Sequence, residues 1–397
     1  MTSDTLSTLT SGVLRPPPLT LYVHLPWCVR KCPYCDFNSH RAAKTLPEEE
    51  YVAALLADAE KTLPSVWGRR PCALYFGGGT PSLFSPSAIF RLLSGLRALY
   101  NPLADAEITL EANPGAADAG KFAEFRAMGI NRLSLGVQSF NDDALSRLGR
   151  IHDGAQSHAA AAAACDIFDN VNLDLMHALP EQTRSAALSD VNMAMGYRPT
   201  HLSLYELTLE AETVFYKSPP AGLPSPDEAA AISEAVIGVA TGGGYARYEV
   251  SAYALKSHEC RHNLNYWRFG DYLGIGAGAH AKISISGALY REQRIKHPAD
   301  YMKRAMNGDA VSERRKVSGR EAVFEFMLNA LRLCDGFEIS LLAERLGGGT
   351  SAAEKALTLA EEQGLIARSA TTIRPTEKGM RYLNDLLLLF LPEKAEL

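Results

Sequence analysis

Three cysteines in one short segment constrain this chain more than any other feature of its sequence. Cys28, Cys32 and Cys35 are separated by three and then two residues, and they follow an apolar run at residues 21–25 that predicts a buried strand. Pro33 keeps the segment between the second and third cysteines from forming a helix. The pattern therefore predicts a loop that brings three thiols to a single inorganic centre.

The number of ligands separates the candidate centres. A structural zinc site is normally closed by four ligands, and the nearby residues that could supply the fourth are His24, Asp36 and His40. A disulfide framework uses an even number of cysteines. A 4Fe-4S cluster is held by one thiolate per iron, so three cysteines leave one iron open to a small molecule. We predict a 4Fe-4S cluster, and zinc is the alternative.

Composition and charge restrict the class of protein. A chain of 397 residues with 47% hydrophobic and 21% charged residues is typical of a globular protein with two domains. The net charge of -5 argues against a nucleic-acid partner, which would require a basic surface. Residues 1–18 lack the basic start and apolar stretch of a signal peptide, and the late apolar run at residues 386–391 is too short to span a bilayer. Because three cysteines must stay reduced, we predict a cytoplasmic protein.

Short apolar segments recur along the first half of the chain. Helix-forming segments separate six of them, which lie at residues 21–25, 72–76, 107–110, 132–137, 171–175 and 201–207. Strands that alternate with helices predict an α/β fold with a parallel sheet, as a curved barrel or as a doubly wound sheet. In either fold, ligands bind outside the carboxyl ends of the strands.

Polar residues and glycines follow these strands. Glu111, Gln138 and Asp174 lie at strand ends, where each is either a ligand-binding residue or a hydrogen-bonded residue at the edge of the core. The segment GGGTP, residues 77–81, follows the second strand. Its glycines allow a ligand to approach the backbone, and their amides can form a hydrogen-bonding edge. A tight turn is the alternative.

These segments resemble those of a known family. CVRKCPYC at residues 28–35 has the CxxxCxxC spacing of radical S-adenosylmethionine (SAM) proteins, and GGGTP resembles the segment with which they hold the methionine end of SAM. The resemblance implies a partial (β/α)6 barrel in which Cys28, Cys32 and Cys35 bind the cluster. It also implies that SAM chelates the open iron through its amino and carboxylate groups, where an electron from the cluster can cleave it.

Two further segments, LSLGVQSF and NLDLMHALP, are similar to those of the HemN/HemW subgroup, which contains oxygen-independent coproporphyrinogen III oxidases and HemW-type haem chaperones. By this resemblance, the positions that contact the SAM at the cluster are Tyr22, Gly78 and Glu111. The positions that match a second SAM site are Tyr34, Gly79, Thr80, Gln138, Arg150 and Asp174.

The chain departs from the oxidases at one position and matches the chaperones at another. The oxidase motif continues to a fourth cysteine, where this chain has Phe37. HNLNYW at residues 262–267 resembles the HNxxYW motif of the haem chaperones, and imidazole is a common ligand of haem iron. We therefore predict His262 as a haem ligand, with Cys260 or a site on another surface as the alternatives and His280 as a positional residue.

The predicted organisation of the chain has four parts. Residues 1–18 are a flexible lead, and residues 19–245 form the radical SAM barrel. Residues 246–313 are a connecting region that contains HNLNYW. Residues 314–397 form a smaller, mainly helical and winged-helix-like domain, which resembles the C-terminal domain of the same subgroup.

Three functions are compatible with this interpretation. The first is a haem chaperone, which binds haem as cargo, passes it to acceptor haemoproteins such as respiratory ones, and uses an electron donor for its cluster. The second is an oxygen-independent coproporphyrinogen III oxidase, and the third is a radical SAM enzyme with an unrelated substrate. Phe37 and His262 favour the first. Productive cleavage of SAM, peripheral membrane contact through the acceptors and a homodimer stay open.

Overall fold

The computed structural model of the protein describes residues 16–116, 118–347 and 350–392. Its strands, numbered in chain order, are β1 (Leu19–Leu25), β2 (Trp27–Cys28), β3 (His40–Arg41), β4 (Ala73–Gly78), β5 (Glu107–Ala112), β6 (Arg132–Gln138), β7 (Val171–His177), β8 (His201–Glu206), β9 (Ala246–Arg247), β10 (Ala252–Ala254), β11 (Asp271–Ile275), β12 (His280–Ile285), β13 (Ala288–Arg294), β14 (Val311–Val317), β15 (Phe337–Glu338), β16 (Ile366–Arg368) and β17 (Thr372–Pro375). Its α-helices, numbered in the same way, are α1 (Glu48–Thr62), α2 (Pro86–Tyr100), α3 (Ala119–Ala127), α4 (Asp142–Arg147), α5 (Gly154–Ile167), α6 (Arg184–Gly196), α7 (Val214–Lys217), α8 (Pro226–Gly242), α9 (Arg261–Trp267), α10 (Pro298–Met306), α11 (Gly319–Ala330), α12 (Ile339–Leu346), α13 (Thr350–Glu362), α14 (Glu377–Arg381) and α15 (Leu383–Leu388).

Six parallel strands form the centre of the main sheet. β1, β4, β5, β6, β7 and β8 lie side by side in chain order, and each pairs with the next. A doubly wound sheet would reverse this order at a switch point, so the curved barrel is the correct alternative. The six predicted strands are confirmed, and their carboxyl ends lie at one edge of the sheet.

Both sides of this parallel sheet are extended by strands that the sequence analysis did not predict. β11 pairs with β1 in parallel and continues into the antiparallel strands β12, β13 and β14. On the other side, β10 and β9 extend the sheet beyond β8. β14 contains the exposed run SERRK, in which charged residues hide the apolar alternation that indicates a strand.

The helices that follow the strands begin at the residue types that cap helices. Before α8, the Ser225 hydroxyl accepts a hydrogen bond from the Glu228 N–H, and the Glu228 carboxylate accepts one from the Ser225 N–H at 2.8 Å. This reciprocal capping box fixes the start of the helix. The apolar faces of the helices then pack on the sheet in one continuous core.

The C-terminal part of the chain has an apolar core of its own. Its helices α11 to α13 pack with a three-stranded antiparallel sheet in the order β15, β17, β16. Helices followed by a strand pair give a winged-helix-like arrangement, as predicted.

The predicted domain limits remain predictions, and residues 1–15 and 393–397 lie outside the described residues. None of the helices in the described parts of the chain combines the length and the apolar character needed to cross a membrane.

Candidate functional site

The cysteine loop is fixed at both of its ends. β2 pairs in parallel with β3, which closes the loop, and the Cys35 N–H donates to the Cys32 carbonyl at 3.1 Å, which forms a turn around Pro33. The Asn38 side chain donates to the Ala277 carbonyl at 2.9 Å and so ties the loop to the segment after β11. These anchors hold the loop over the carboxyl ends of the barrel strands.

A cavity of about 370 Å³ lies between the cysteine loop and the carboxyl ends of the strands. This volume is within the range of small-molecule sites in proteins. The predicted site residues that line the cavity are Cys28, Cys32, Tyr34, Cys35, Gly78, Gly79, Thr80, Glu111, Gln138, Arg150 and Asp174. The structure therefore brings together the predicted set except for Tyr22 and His262, which lie deeper in the barrel.

The three cysteines suit a polynuclear cluster. All three are free thiols, and no group of three His, Cys, Asp or Glu side chains within the described residues is arranged to hold a single metal ion. A 4Fe-4S cluster places each thiolate on a different iron, so its ligands do not have to converge as zinc ligands do. Burial raises the pKa of Cys28 and Cys35, so a metal must displace their protons when it binds.

The glycine run packs directly beneath the cysteine loop. Gly78 has a φ of 119°, and a β-carbon at Gly79 would lie 2.5 Å from the Trp27 carbonyl oxygen. The N–H groups of Gly79 and Thr80 donate to carbonyls of the segment that leads into the loop, both at 2.8 Å. The predicted amide edge is therefore wrong for these residues, because protein acceptors already occupy their amides. The glycines instead allow close approach of two backbones.

Glu111 is the last residue but one of β5, and two donors hold its carboxylate. The Tyr75 hydroxyl donates to Oε1 at 2.9 Å, and the Gly78 N–H donates to Oε2 at 3.1 Å. The pKa of Glu111 is raised to about 7, mainly by burial of the carboxyl and to a smaller extent by the negative charge of the neighbouring Asp174. A cation beside this carboxyl would favour its ionised form, so Glu111 is suited to an amino group.

Gln138 is strained and only partly hydrogen-bonded. It has a φ of 62° at a register shift at the end of β6, and its buried Oε1 has no hydrogen-bond partner in the described parts of the chain. An unpaired buried acceptor costs about 1–3 kcal/mol, and strained residues cluster at functional sites. Gln138 thus offers an acceptor to a ligand in the cavity.

Arg150 links the cysteine loop to the barrel wall. Its Nη1 lies 3.7 Å from Cys32 Sγ, and its Nη2 donates to Asn113 Oδ1 at 2.6 Å and to the Gly136 carbonyl at 2.9 Å. The same Asn113 side chain donates to Thr80 Oγ1 at 2.8 Å. A guanidinium in this position would compensate part of the negative charge of a cluster held by Cys32.

Tyr22 and His262 lie inside the barrel, below the cavity. α9 closes the amino end of the barrel, where the His262 N–H donates to Glu107 Oε1 at 3.3 Å at the start of β5. The His262 ring lies 4.8 Å from the Tyr75 ring and 6.1 Å from the Tyr22 ring, measured between centroids. Burial lowers the pKa of His262 to about 4, and its buried Nδ1 has no partner among the described residues.

The sequence analysis missed several residues of the cavity. They are Tyr75, Asn113, Tyr205, Glu206 and Glu210. The last two lie at the end of β8 or just beyond it, so the strand-end rule that found Glu111 would also have found them. Tyr75 lies within β4, and only its position on the inner face of the barrel brings it to the site.

Family models match two parts of the chain. The model of the Radical SAM superfamily matches residues 22–194, and that of the HemN C-terminal domain matches residues 317–382. The chain has the same fold as coproporphyrinogen III oxidase (HemN) from Escherichia coli, with a TM-score of 0.79, 24% identity and coverage of 94% of this chain and 90% of that one. At this identity the likeness shows the fold alone.

Curated relatives match the chain along nearly its whole length. The heme chaperone HemW of Escherichia coli (strain K12) is 43% identical over 379 residues, which cover 95% of this chain and 99% of the relative. HemW of Haemophilus influenzae is 43% identical over 384 residues, again with 95% and 99% coverage. Together with the cysteine loop over a parallel barrel, these similarities show that the chain belongs to the HemW family of the radical SAM superfamily.

Proposed function

We propose that this protein is a haem chaperone, which binds haem and passes it to acceptor haemoproteins, and that it has a 4Fe-4S cluster with SAM at the open iron. The observation that supports this most strongly is the 43% identity to the heme chaperone HemW of Escherichia coli, over 95% of this chain. The three thiols of the loop would hold the cluster, which when bound supplies an electron-transfer centre. A reducing compartment such as the cytoplasm keeps these thiols available.

The charge of the cavity wall favours a cationic ligand. Four carboxylates line the wall formed by the barrel, and they belong to Glu111, Asp174, Glu206 and Glu210. Arg150 is the cation on the barrel side, and the cysteine loop adds Arg30, Lys31 and the carboxylate of Asp36, so among the described residues five carboxylates face three cations around the cavity. SAM has a sulfonium and an amino group, so this acidic wall stabilises it by Coulomb attraction.

The same charges disfavour the oxidase alternative. Coproporphyrinogen III has four propionate groups, which the excess of carboxylates over cations around the cavity disfavours. Phe37 replaces the fourth cysteine of the oxidases and is 60% exposed at the cavity mouth, where a phenyl ring cannot do thiol chemistry. Both features favour a protein that does not decarboxylate porphyrinogens.

We expect the reconstituted protein to form no vinyl product when it is incubated anaerobically with SAM, a reductant and coproporphyrinogen III. Product analysis by chromatography measures this directly. Cluster content and SAM binding, measured in the same preparation, serve as the control for an intact site. Efficient formation of protoporphyrinogen would support the oxidase in spite of Phe37.

The position of His262 sets a condition for haem ligation. Its ring lies in the barrel interior, and three groups of the α9 start, including the His262 N–H, donate to the Glu107 carboxylate. Tyr266 and Trp267 pack against each other, and Arg332 lies 4.4 Å from the centroid of the Trp267 ring. Haem can therefore reach His262 only if α9 moves away from the barrel, and we retain His262 as the proposed ligand on that condition.

Haem titration tests the proposed function. We expect the wild-type protein to shift the Soret band of added haem, and His262→Ala to weaken that shift because it removes the axial imidazole. Added imidazole should restore the spectrum of the variant if His262 binds the iron directly. His297→Ala is the matched control, since His297 has a 64% exposed side chain. Identical spectra of haem with and without the wild-type protein would contradict the chaperone proposal. If both variants gave the wild-type spectrum, His262 would not be the ligand, and Cys260→Ala would be the next variant to measure.

A further inference from the structure

Three side chains connect the HNLNYW helix to the candidate SAM site. The His262 ring faces the Tyr75 ring at 4.8 Å with an interplanar angle of 30°. The Tyr75 hydroxyl donates to Glu111 Oε1 at 2.9 Å. The other oxygen of Glu111 accepts from Gly78 in the glycine run at 3.1 Å. Two contacts therefore span the distance from the haem motif to the carboxylate of the cavity.

The chain leaves space for this arrangement at one glycine. A β-carbon at Gly77 would lie 3.0 to 3.1 Å from three side chains, those of Tyr75, Glu111 and Tyr22. These distances are shorter than normal carbon contacts, so any larger residue would separate the tyrosine from the carboxylate. Tyr22 packs beside both rings, because its centroid lies 6.2 Å from that of Tyr75 and 6.1 Å from that of His262.

We propose that Tyr75 is a positioning residue that couples the state of the HNLNYW helix to SAM binding at Glu111. This inference rests on the proposed function, in which His262 leaves the barrel to bind haem. When His262 leaves, one face of the Tyr75 ring loses its packing partner, and the hydroxyl is no longer held at Glu111. Haem binding therefore weakens SAM binding, and SAM weakens haem binding by the same factor, because coupling between two sites is reciprocal.

The titration of Glu111 reports on this contact. The titratable and charged groups that face its carboxyl are Tyr22 on β1, Tyr75 on β4, Arg132 on β6, Asp174 on β7 and Tyr205 on β8. The hydrogen bond from Tyr75 stabilises the ionised carboxylate and lowers the pKa of Glu111. The Tyr75→Phe substitution removes that bond and leaves the other charges in place, so a change in the pH midpoint of SAM binding can be assigned to the Tyr75 hydroxyl.

The test is calorimetric titration of SAM into the anaerobically reconstituted protein between pH 6 and pH 9, with and without haem. In the wild type we expect haem to weaken SAM binding about tenfold, a typical size for such coupling. Tyr75→Phe retains the ring, and therefore the core packing, but should move the pH midpoint of SAM binding upward and abolish the effect of haem. Tyr100→Phe is the matched control, because its buried hydroxyl donates to Ala59 between α1 and α2, outside the barrel.

A double-mutant cycle separates this inference from the proposed function. His262→Ala should weaken SAM binding in the wild-type background and have no further effect in the Tyr75→Phe background. Additive effects of the two substitutions, or an unchanged pH midpoint in Tyr75→Phe, would overturn the inference while haem binding stands. If the wild type binds no haem, the proposed function fails, and the cycle on SAM binding alone still decides the role of Tyr75.

Discussion

Cys32→Ala is expected to abolish the broad visible absorbance of the reconstituted protein and to leave less than a tenth of the wild-type iron and sulfide. Cys32 lines the cavity beside Arg150, and a 4Fe-4S cluster that loses one of three protein thiolates has two open irons instead of one. Cys28→Ala and Cys35→Ala should have the same effect. Anaerobic reconstitution followed by absorbance and metal analysis measures it.

Cys165→Ala is the matched control for this loss. Cys165 lies in α5 on the outside of the barrel, where it packs against the main core, and burial raises the pKa of its thiol to about 11. A protonated, half-buried thiol is a small hydrophobic group and not a metal ligand. The control should retain the full cluster. Retention of the cluster in Cys32→Ala, or stoichiometric zinc without iron and sulfide in the wild type, would refute the ligand assignment.

The strand-end rule accounts for most of what the sequence could predict about the cavity. Glu111, Gln138 and Asp174 are widely separated in the sequence; Glu111 and Gln138 lie at the ends of β5 and β6, whereas Asp174, which was also expected at a strand end, lies in the middle of β7. Parallel strands that lie in chain order bring their carboxyl ends to one edge. All three side chains line the same cavity, Glu111 and Gln138 from the strand ends and Asp174 from within its strand.

Arg150 and Tyr75 show where this kind of prediction stops. Arg150 follows α4 in a turn, and nothing local indicates that its guanidinium reaches across to Cys32. It was found through resemblance to a family. Tyr75 is an aromatic residue in an apolar strand, which on its own predicts core packing. Its link to Glu111 depends on the pairing of β4 with β5, in which Tyr75 lies opposite Thr109, and the local pattern does not contain that register.

The location of His262 could not be predicted for a related reason. HNLNYW lies after the six predicted barrel strands, and its surroundings are set by β11 and by the start of β5, which belong to distant parts of the chain. A histidine in this motif suggests metal ligation, whereas the structure shows that the His262 ring is buried inside the barrel beside Tyr75. If His262 is buried without haem and binds iron with haem, α9 must move between the two states. Haem binding and SAM binding must therefore be measured on the same preparation of the protein.

Glu111→Gln is expected to weaken SAM binding on the order of a hundredfold. A hydrogen bond to a charged partner contributes up to about 3 kcal/mol, and each 1.4 kcal/mol is about a tenfold change in affinity. The glutamine keeps the size of the side chain and removes its charge. Calorimetric titration of SAM at pH 8, where most of the wild-type Glu111 is ionised, measures the loss. Glu210→Gln, the same change at an exposed residue beyond β8, serves as the comparison and should lose far less.

The pH dependence distinguishes a contact of Glu111 with the ligand from a loss of structure. The pKa of Glu111 in the ligand-free protein is about 7, and a cationic ligand binds its ionised form. SAM binding should therefore strengthen as the pH rises through 7, by about tenfold between pH 6 and pH 8, and the Glu111→Gln variant should lose that part of the dependence. A variant that binds weakly but keeps the wild-type pH profile would show that another group titrates, and Glu111 would then be a structural residue of the barrel and not a contact of SAM.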